Sequence, residues 1–175
     1  MDDLPAVEGP HVVLETNRGD IVLGLYPTES PATVENFLSY VREGFYDGLL
    51  FHRVISGFMA QGGGFEPGLV QKQPTHAEIR NESDNGLKNL RGSIAMARLP
   101  GPHTASAQFF INLVDNAFLD YGANGPGQWG YAVFGRVLEG MDVVDEIGRA
   151  RTRRAGPLDD VPVEDIVIRR AYLRE

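Results

Sequence analysis

This sequence predicts a mainly β fold, a closed antiparallel barrel plugged by helices, on three observations. Gly is frequent, at 21 of 175 residues, as a chain with many tight turns requires. Short apolar runs recur between turn signals along most of the length. Only two segments carry a helical period, and they lie far apart, which argues against alternating strands and crossover helices.

Taken in order, "HVVLETNRGDIVLGLY" reads as a hairpin. Ile21, Leu23 and Leu25 alternate with Asp20, Val22 and Gly24, and Asn17-Arg18-Gly19 supplies the turn. The period then changes. Ser30 is placed to cap a helix, Pro31 suits its first position, and Val34, Phe37, Leu38 and Val41 follow one face. Gly44 closes it. Further strands are expected over 50–55, 58–61, 93–98, 108–113 and 131–138, with Asn-Gly turns in "SDNGLKN" and "GANGPGQWG". A second, shorter helix is expected from Met141 to Ile147, ending at Gly148, and "DIVIRRAYL" alternates as a last strand.

The length suits one domain with a substantial core. A net charge of −8 argues against general nucleic-acid binding, which needs a basic face. "RARTRRAG" is a basic island, read as a solvated loop. No cysteine is present, so thiol chemistry and disulfides are excluded. No apolar run approaches the roughly 20 residues that span a bilayer, so no membrane association is expected. The start, "MDDLPAVEGPH", lacks a basic region followed by an apolar one. The expected compartment is therefore the cytoplasm, with the periplasm as the alternative for a chain whose leader has been removed.

Four histidines, at 11, 52, 76 and 103, show no i, i+3 or i, i+4 pairing, so no metal is expected. "GGGF" lacks the lysine of a phosphate loop, and no GxSxG elbow occurs. What stands out is "FHRVISGFMAQGGGF", which sets Arg53 and Gln61 among Phe51, Val54, Ile55, Phe58 and Met59. A snorkelling arginine and a turn-capping glutamine would be the plain explanation. However, "SAQFFIN" repeats the pattern at Gln108 and Phe110, and "NAFLDY" adds Phe118 and Leu119. An apolar pocket with a few directed polar groups is what a small-ligand or peptide site needs.

With "GSIAMAR" and "YAVFGRVLEGMDVVDEI", these blocks run in order along nearly the whole chain. The sequence resembles the cyclophilin family of peptidyl-prolyl cis-trans isomerases, particularly its bacterial members. The resemblance implies a closed eight-stranded antiparallel β-barrel capped by two α-helices, formed by residues 11–175 after a tail of residues 1–10. It implies catalytic roles for Arg53, Phe58 and Gln61, and substrate contacts from Met59, Ala97, Arg98, Gln108, Phe110, Phe118, Leu119 and Tyr131. It implies proline-containing peptides and folding polypeptides as partners; no cofactor is expected, since no bond is broken, and a monomer is the simplest expectation because nothing in the sequence requires an oligomer. His52 is then a satisfied structural histidine, because rotation about an amide abstracts no proton.

Phe118 stands where many eukaryotic members have tryptophan, and Tyr131 where they have histidine, which implies weak cyclosporin binding. "RLPGPHTASA" is one residue longer than the usual eukaryotic loop and would reshape the groove wall. Two other functions compete. One is a chaperone module that binds proline segments with little turnover; Arg53 argues for catalysis, since docking alone needs only the apolar floor. The other is a hollow carrier barrel, which the large residues expected inside disfavour.

Overall fold

The computed structural model describes residues 4–174. In chain order its elements are β1 (His11–Thr16), β2 (Gly19–Leu25), α1 (Pro31–Arg42), β3 (Arg53–Ile55), β4 (Met59–Gly62), β5 (Phe65–Glu66) and β6 (Val70–Gln71). There follow β7 (Ser93–Met96), β8 (Phe109–Asn112), β9 (Val133–Glu139), α2 (Met141–Gly148), β10 (Thr152–Ala155), β11 (Leu158–Pro162) and β12 (Ile168–Arg174). Eight strands form one antiparallel sheet in the order β12-β1-β2-β9-β7-β8-β4-β3, while β5-β6 and β10-β11 are separate ribbons.

The sheet is a curled half-barrel, not the closed barrel expected from the sequence. Its edge strands, β3 and β12, share no ladder. The run expected as a strand from Leu50 becomes regular only at Arg53. Residues 49–51 instead meet 166–168 through one isolated bridge, Leu50 to Val167, and through Phe51 N–H to Ile166 O at 2.9 Å and Ile168 N–H to Leu49 O at 2.8 Å. On its other edge Leu50 meets the neighbouring segment, with Leu50 N–H on Phe65 O at 2.8 Å and Gly63 N–H on Leu50 O at 3.3 Å.

Alternation works as the sequence suggests in the first hairpin, where Thr16 pairs with Gly19 around a two-residue loop and Ile21, Leu23 and Leu25 enter the core. The concave face of the sheet is filled by Phe37 of α1 against Tyr46, Phe109 and Phe134, with ring centroids 5.4, 5.8 and 5.0 Å away. Tyr40, Phe45 and Phe51 belong to the same cluster. The basic island is only partly a loop: its residues Thr152–Ala155 form β10, an exposed strand paired with β11.

Helix α1 starts and ends where expected, but its start is held differently. Ser30 occupies the cap position without capping; its hydroxyl donates to Val133 O at 2.7 Å. The orphan N–H groups go to Glu82, whose carboxylate accepts from Thr33 N–H at 2.7 Å, Thr33 Oγ1 at 2.6 Å and Ala32 N–H at 3.3 Å. A negative charge there also faces the positive end of the helix dipole. At the other end Gly44 takes a positive φ of 73°, with Gly44 N–H on Val41 O and Phe45 N–H on Tyr40 O, a Schellman ending. Replacing Glu82 by Ala should therefore cost about 1–3 kcal/mol, as for a lost cap with charged hydrogen bonds. Urea unfolding measures it, and an unmoved midpoint would remove this role from Glu82.

Candidate active site

Strand pairing assembles the site. Arg53 of β3 lies opposite Gln61 of β4, Gln61 opposite Phe110 of β8, Phe110 opposite Ala95 of β7, and Ala95 opposite Val133 of β9. One step along, Val54, Ala60, Ile111 and Ile94 form a parallel row that enters the core. Side chains alternate between faces of a strand, so filling the core with one row presents the other on the convex face. There Met59, Phe110, Leu119, Ala95 and Val133 make a second apolar cluster, flanked by Phe58, Ala97 and Tyr131.

A cavity of about 240 Å³ opens in this cluster, lined by Arg53, Phe58, Met59, Gln61, Ala97, Arg98, Phe110, Leu119 and Tyr131. Gln61, Ala97 and Arg98 also border a wider groove of about 450 Å³, and Gln108 lies on that side. Phe118 lines neither. Its exposed ring stacks on Phe58, with centroids 5.6 Å apart and planes 27° from parallel, as an outer flange of the pocket.

The polar wall is a short chain of side chains. Arg53 Nη1 donates to Gln61 Oε1 at 3.4 Å, and Gln61 Nε2 donates to Gln108 Oε1 at 2.9 Å. Gln61 keeps one amide hydrogen and one lone pair for a ligand, and Arg53 keeps most of its donors. A Cβ at Gly64 would collide with Gln108, so this glycine is the space in which that glutamine lies. Gly63 beside it has φ of 88°.

Arg98 is differently placed. Its guanidinium donates to the carbonyls of Gly130, Leu99, Pro100 and Trp129 at 3.0–3.4 Å and lies over the Tyr131 ring, 4.5 Å from the centroid. It forms a wall of the pocket, with its donors already spent on backbone.

Sequence reasoning missed three buried asparagines beneath the pocket. Asn112 donates to Asn89 Oδ1 at 3.1 Å, and Asn116 donates to Asn112 Oδ1 at 2.8 Å. Asn89 in turn holds the carbonyls of Leu119 and Tyr131, while Asn116 holds that of Phe58. Three walls of the pocket are thus tied to one internal network. The available signal was Asn112 itself, a strongly polar residue ending the apolar strand "FFIN". Among the described residues no three His, Asp or Glu side chains gather as a metal site.

The family model of the cyclophilin type peptidyl-prolyl cis-trans isomerase matches residues 11–173. The chain is 54% identical over 164 residues to peptidyl-prolyl cis-trans isomerase B of Escherichia coli, covering 94% of this chain and 99% of that protein. It is 58% identical over 162 residues to the isomerase cyp18 of Streptomyces antibioticus, covering 93% and 97%. A Cryptosporidium parvum cyclophilin type isomerase, crystallised in the presence of the dipeptide Ala-Pro, superposes with a TM-score of 0.80 at 26% identity, covering 94% of this chain and 99% of that one.

His52, next to Arg53, is buried as expected, with its ring centroid 4.4 Å from that of Phe65. It is not fully satisfied, since Nδ1 has no hydrogen-bond partner among the described residues. Burial, and secondarily the charge of Arg53, push its pKa down to about 4. The unfolded chain, with histidine near 6.5, takes up this proton first. His52 therefore contributes stability that is complete above about pH 6.5 and lost progressively as pH falls towards about 4, roughly 3 kcal/mol at most. Urea midpoints should fall further for wild type than for His52→Phe between about pH 7.5 and 4.5. Equal falls would assign the acid sensitivity elsewhere.

Proposed function

The chain belongs to the cyclophilin-type peptidyl-prolyl cis-trans isomerases, and we propose that Arg53 delivers its catalytic hydrogen bond while the convex apolar pocket holds the prolyl ring. The observation that carries this assignment is the opposed row Arg53–Gln61–Phe110, which sets an available guanidinium beside an apolar floor.

Resonance between nitrogen and carbonyl gives the X-Pro bond a rotation barrier of about 18–20 kcal/mol. No bond breaks in crossing it. In the twisted state the prolyl nitrogen loses conjugation and becomes more basic. A donor aimed at that nitrogen, or at the proline's carbonyl, then binds the transition state more strongly than the planar amide. Arginine suits this task because it stays charged and its donors are held in a fixed fork. Gln61 orients Arg53 through Oε1 and meets the peptide backbone with its remaining amide hydrogen. Met59, Phe58, Phe110 and Leu119 clamp the pyrrolidine, so that the acyl side of the amide turns against a fixed ring. They also displace the water that would compete for the guanidinium.

Its substrates are proline-containing peptide segments, and we extend them to folding polypeptides, because the groove is open at the surface and reads little beyond proline and backbone. A chain without cysteine suits a reducing cytoplasm, where we place it as a monomer. The second reading, a binding module with little turnover, differs in one respect: it has no use for Arg53.

Two-dimensional NMR exchange on an Ala-Pro peptide separates them. Wild type should exchange the cis and trans resonances rapidly. Arg53→Ala should lose about 10²–10³-fold in kcat/KM, the usual weight of one directed transition-state donor, while peptide shifts still report binding. Arg53→Lys should recover only part of the rate. Binding without exchange in wild type would leave the module reading standing. Cyclosporin should inhibit weakly, because Phe118 presents no indole N–H; inhibition at stoichiometric concentration would show that the phenyl flange suffices.

A further inference from the structure

Beyond the catalytic row, the wider groove owes part of its wall to the loop at 99–104, through Leu99 and Thr104. Arg98 fixes the base of this loop through its carbonyl contacts, and Thr104 Oγ1 braces it internally by accepting from Leu99 N–H at 2.9 Å and donating to Gly101 O at 2.7 Å. Its far end is held from across the groove wall. Asn81 donates Nδ2 to Pro102 O at 3.0 Å, and Asn81 N–H donates to His103 Nδ1 at 3.0 Å. The His103 ring meets the edge of Trp129 at 5.1 Å, and Asn81 Nδ2 also reaches Gly130 O at 2.9 Å. Loop and pocket wall are thus joined at Asn81.

Of these bonds, the one to His103 alone depends on a proton. A ring nitrogen that accepts from a backbone N–H carries no hydrogen, so the proton of the neutral imidazole sits on Nε2. Adding a second proton would set N–H against N–H and abolish the bond. His103 is exposed, so protons reach it freely. The charged groups around it are otherwise committed. On its own loop Arg98 is spent on carbonyls. Beside Asn81, Arg80 pairs with Asp84 at 3.4 Å, and Glu82 is turned to Thr33. Across Trp129 stands the Tyr121 ring, 5.4 Å from it, and no carboxylate lies between 121 and 130.

We propose that His103 is a positioning residue for the substrate groove: its neutral imidazole latches the 99–104 loop onto Asn81, and protonation releases the latch and weakens peptide binding. This rests on the reading that peptide lies along this groove. Arg53 stands on a different strand, so release should act on KM and leave kcat alone.

The test follows wild type, His103→Asn and His103→Ala from pH 8 to pH 5, the range in which histidine ordinarily changes charge. Three quantities are read: KM and kcat on an Ala-Pro peptide, peptide Kd from NMR shifts, and exchange protection of the Asn81 amide. Trp129, the single tryptophan, adds a fluorescence report from the latch itself. Wild type should lose about three- to tenfold in KM and Kd as pH falls, the weight of one net hydrogen bond, together with Asn81 protection. His103→Asn, which puts a non-titrating acceptor where Nδ1 stands, should hold its pH 8 values throughout. His103→Ala should behave at pH 8 as wild type does at pH 5. His76, which also lines the groove, is present in all three proteins and cancels. Identical pH responses in wild type and His103→Asn, or an Asn81 amide indifferent to pH, would overturn the latch. Absence of turnover at every pH would instead sink the catalytic reading, with Kd and the Asn81 amide still deciding the latch.

Discussion

The register across β3, β4, β8 and β7 is the constraint on which the rest of this molecule depends. A slip by one residue would carry Arg53, Gln61 and Phe110 into the core and turn Val54, Ala60 and Ile111 outward. Hydrophobic burial on the concave face forbids it, since each large side chain taken from water contributes about 1.5–3 kcal/mol. Phe37, Tyr46, Phe109 and Phe134 leave no room for a guanidinium among them. The position of Arg53 is therefore enforced from the far side of the sheet, by residues buried in the core.

The two arginines that border the pocket show how a polar group is either spent or held ready. Arg98 gives its donors to four carbonyls and its face to Tyr131, and so becomes a piece of wall. Arg53 has one long contact, 3.4 Å to Gln61, and keeps the rest. Below them, Asn89, Asn112 and Asn116 satisfy one another and three wall carbonyls, which makes a polar interior stiff rather than costly. Rigid support under a sparsely bonded donor is the arrangement that favours a transition state over a ground state.

How much of this was legible in the sequence follows the range of the interactions. The period of 2 in "DIVLGL" and the period of 3.6 after Pro31 are local, and both elements stand where those patterns put them. The motif containing Arg53, Phe58, Met59 and Gln61 was legible because it occupies two adjacent strands joined by a short turn. Contacts across long separations were not. Nothing near Ser30 announces that Glu82 will cap α1 in its place, and nothing in "RLPGPHT" shows that Arg98 will be consumed by its own surroundings. The closed barrel failed for the same reason, because the pairing of 49–51 with 166–168 stops at one isolated bridge and never becomes a ladder. β10 was missed because an exposed arginine-rich strand has no apolar alternation to betray it.

That incomplete seam has a consequence for how the protein can be divided. The segment leading into Arg53 is steadied by the backbone of Ile166 and Ile168, contributed from the opposite end of the chain. A contiguous fragment that holds both Arg53 and the segment that braces its approach must run at least from residue 49 to residue 168, about two thirds of the sequence. The start of the last strand thus bears on where Arg53 stands, although none of its residues lines either cavity.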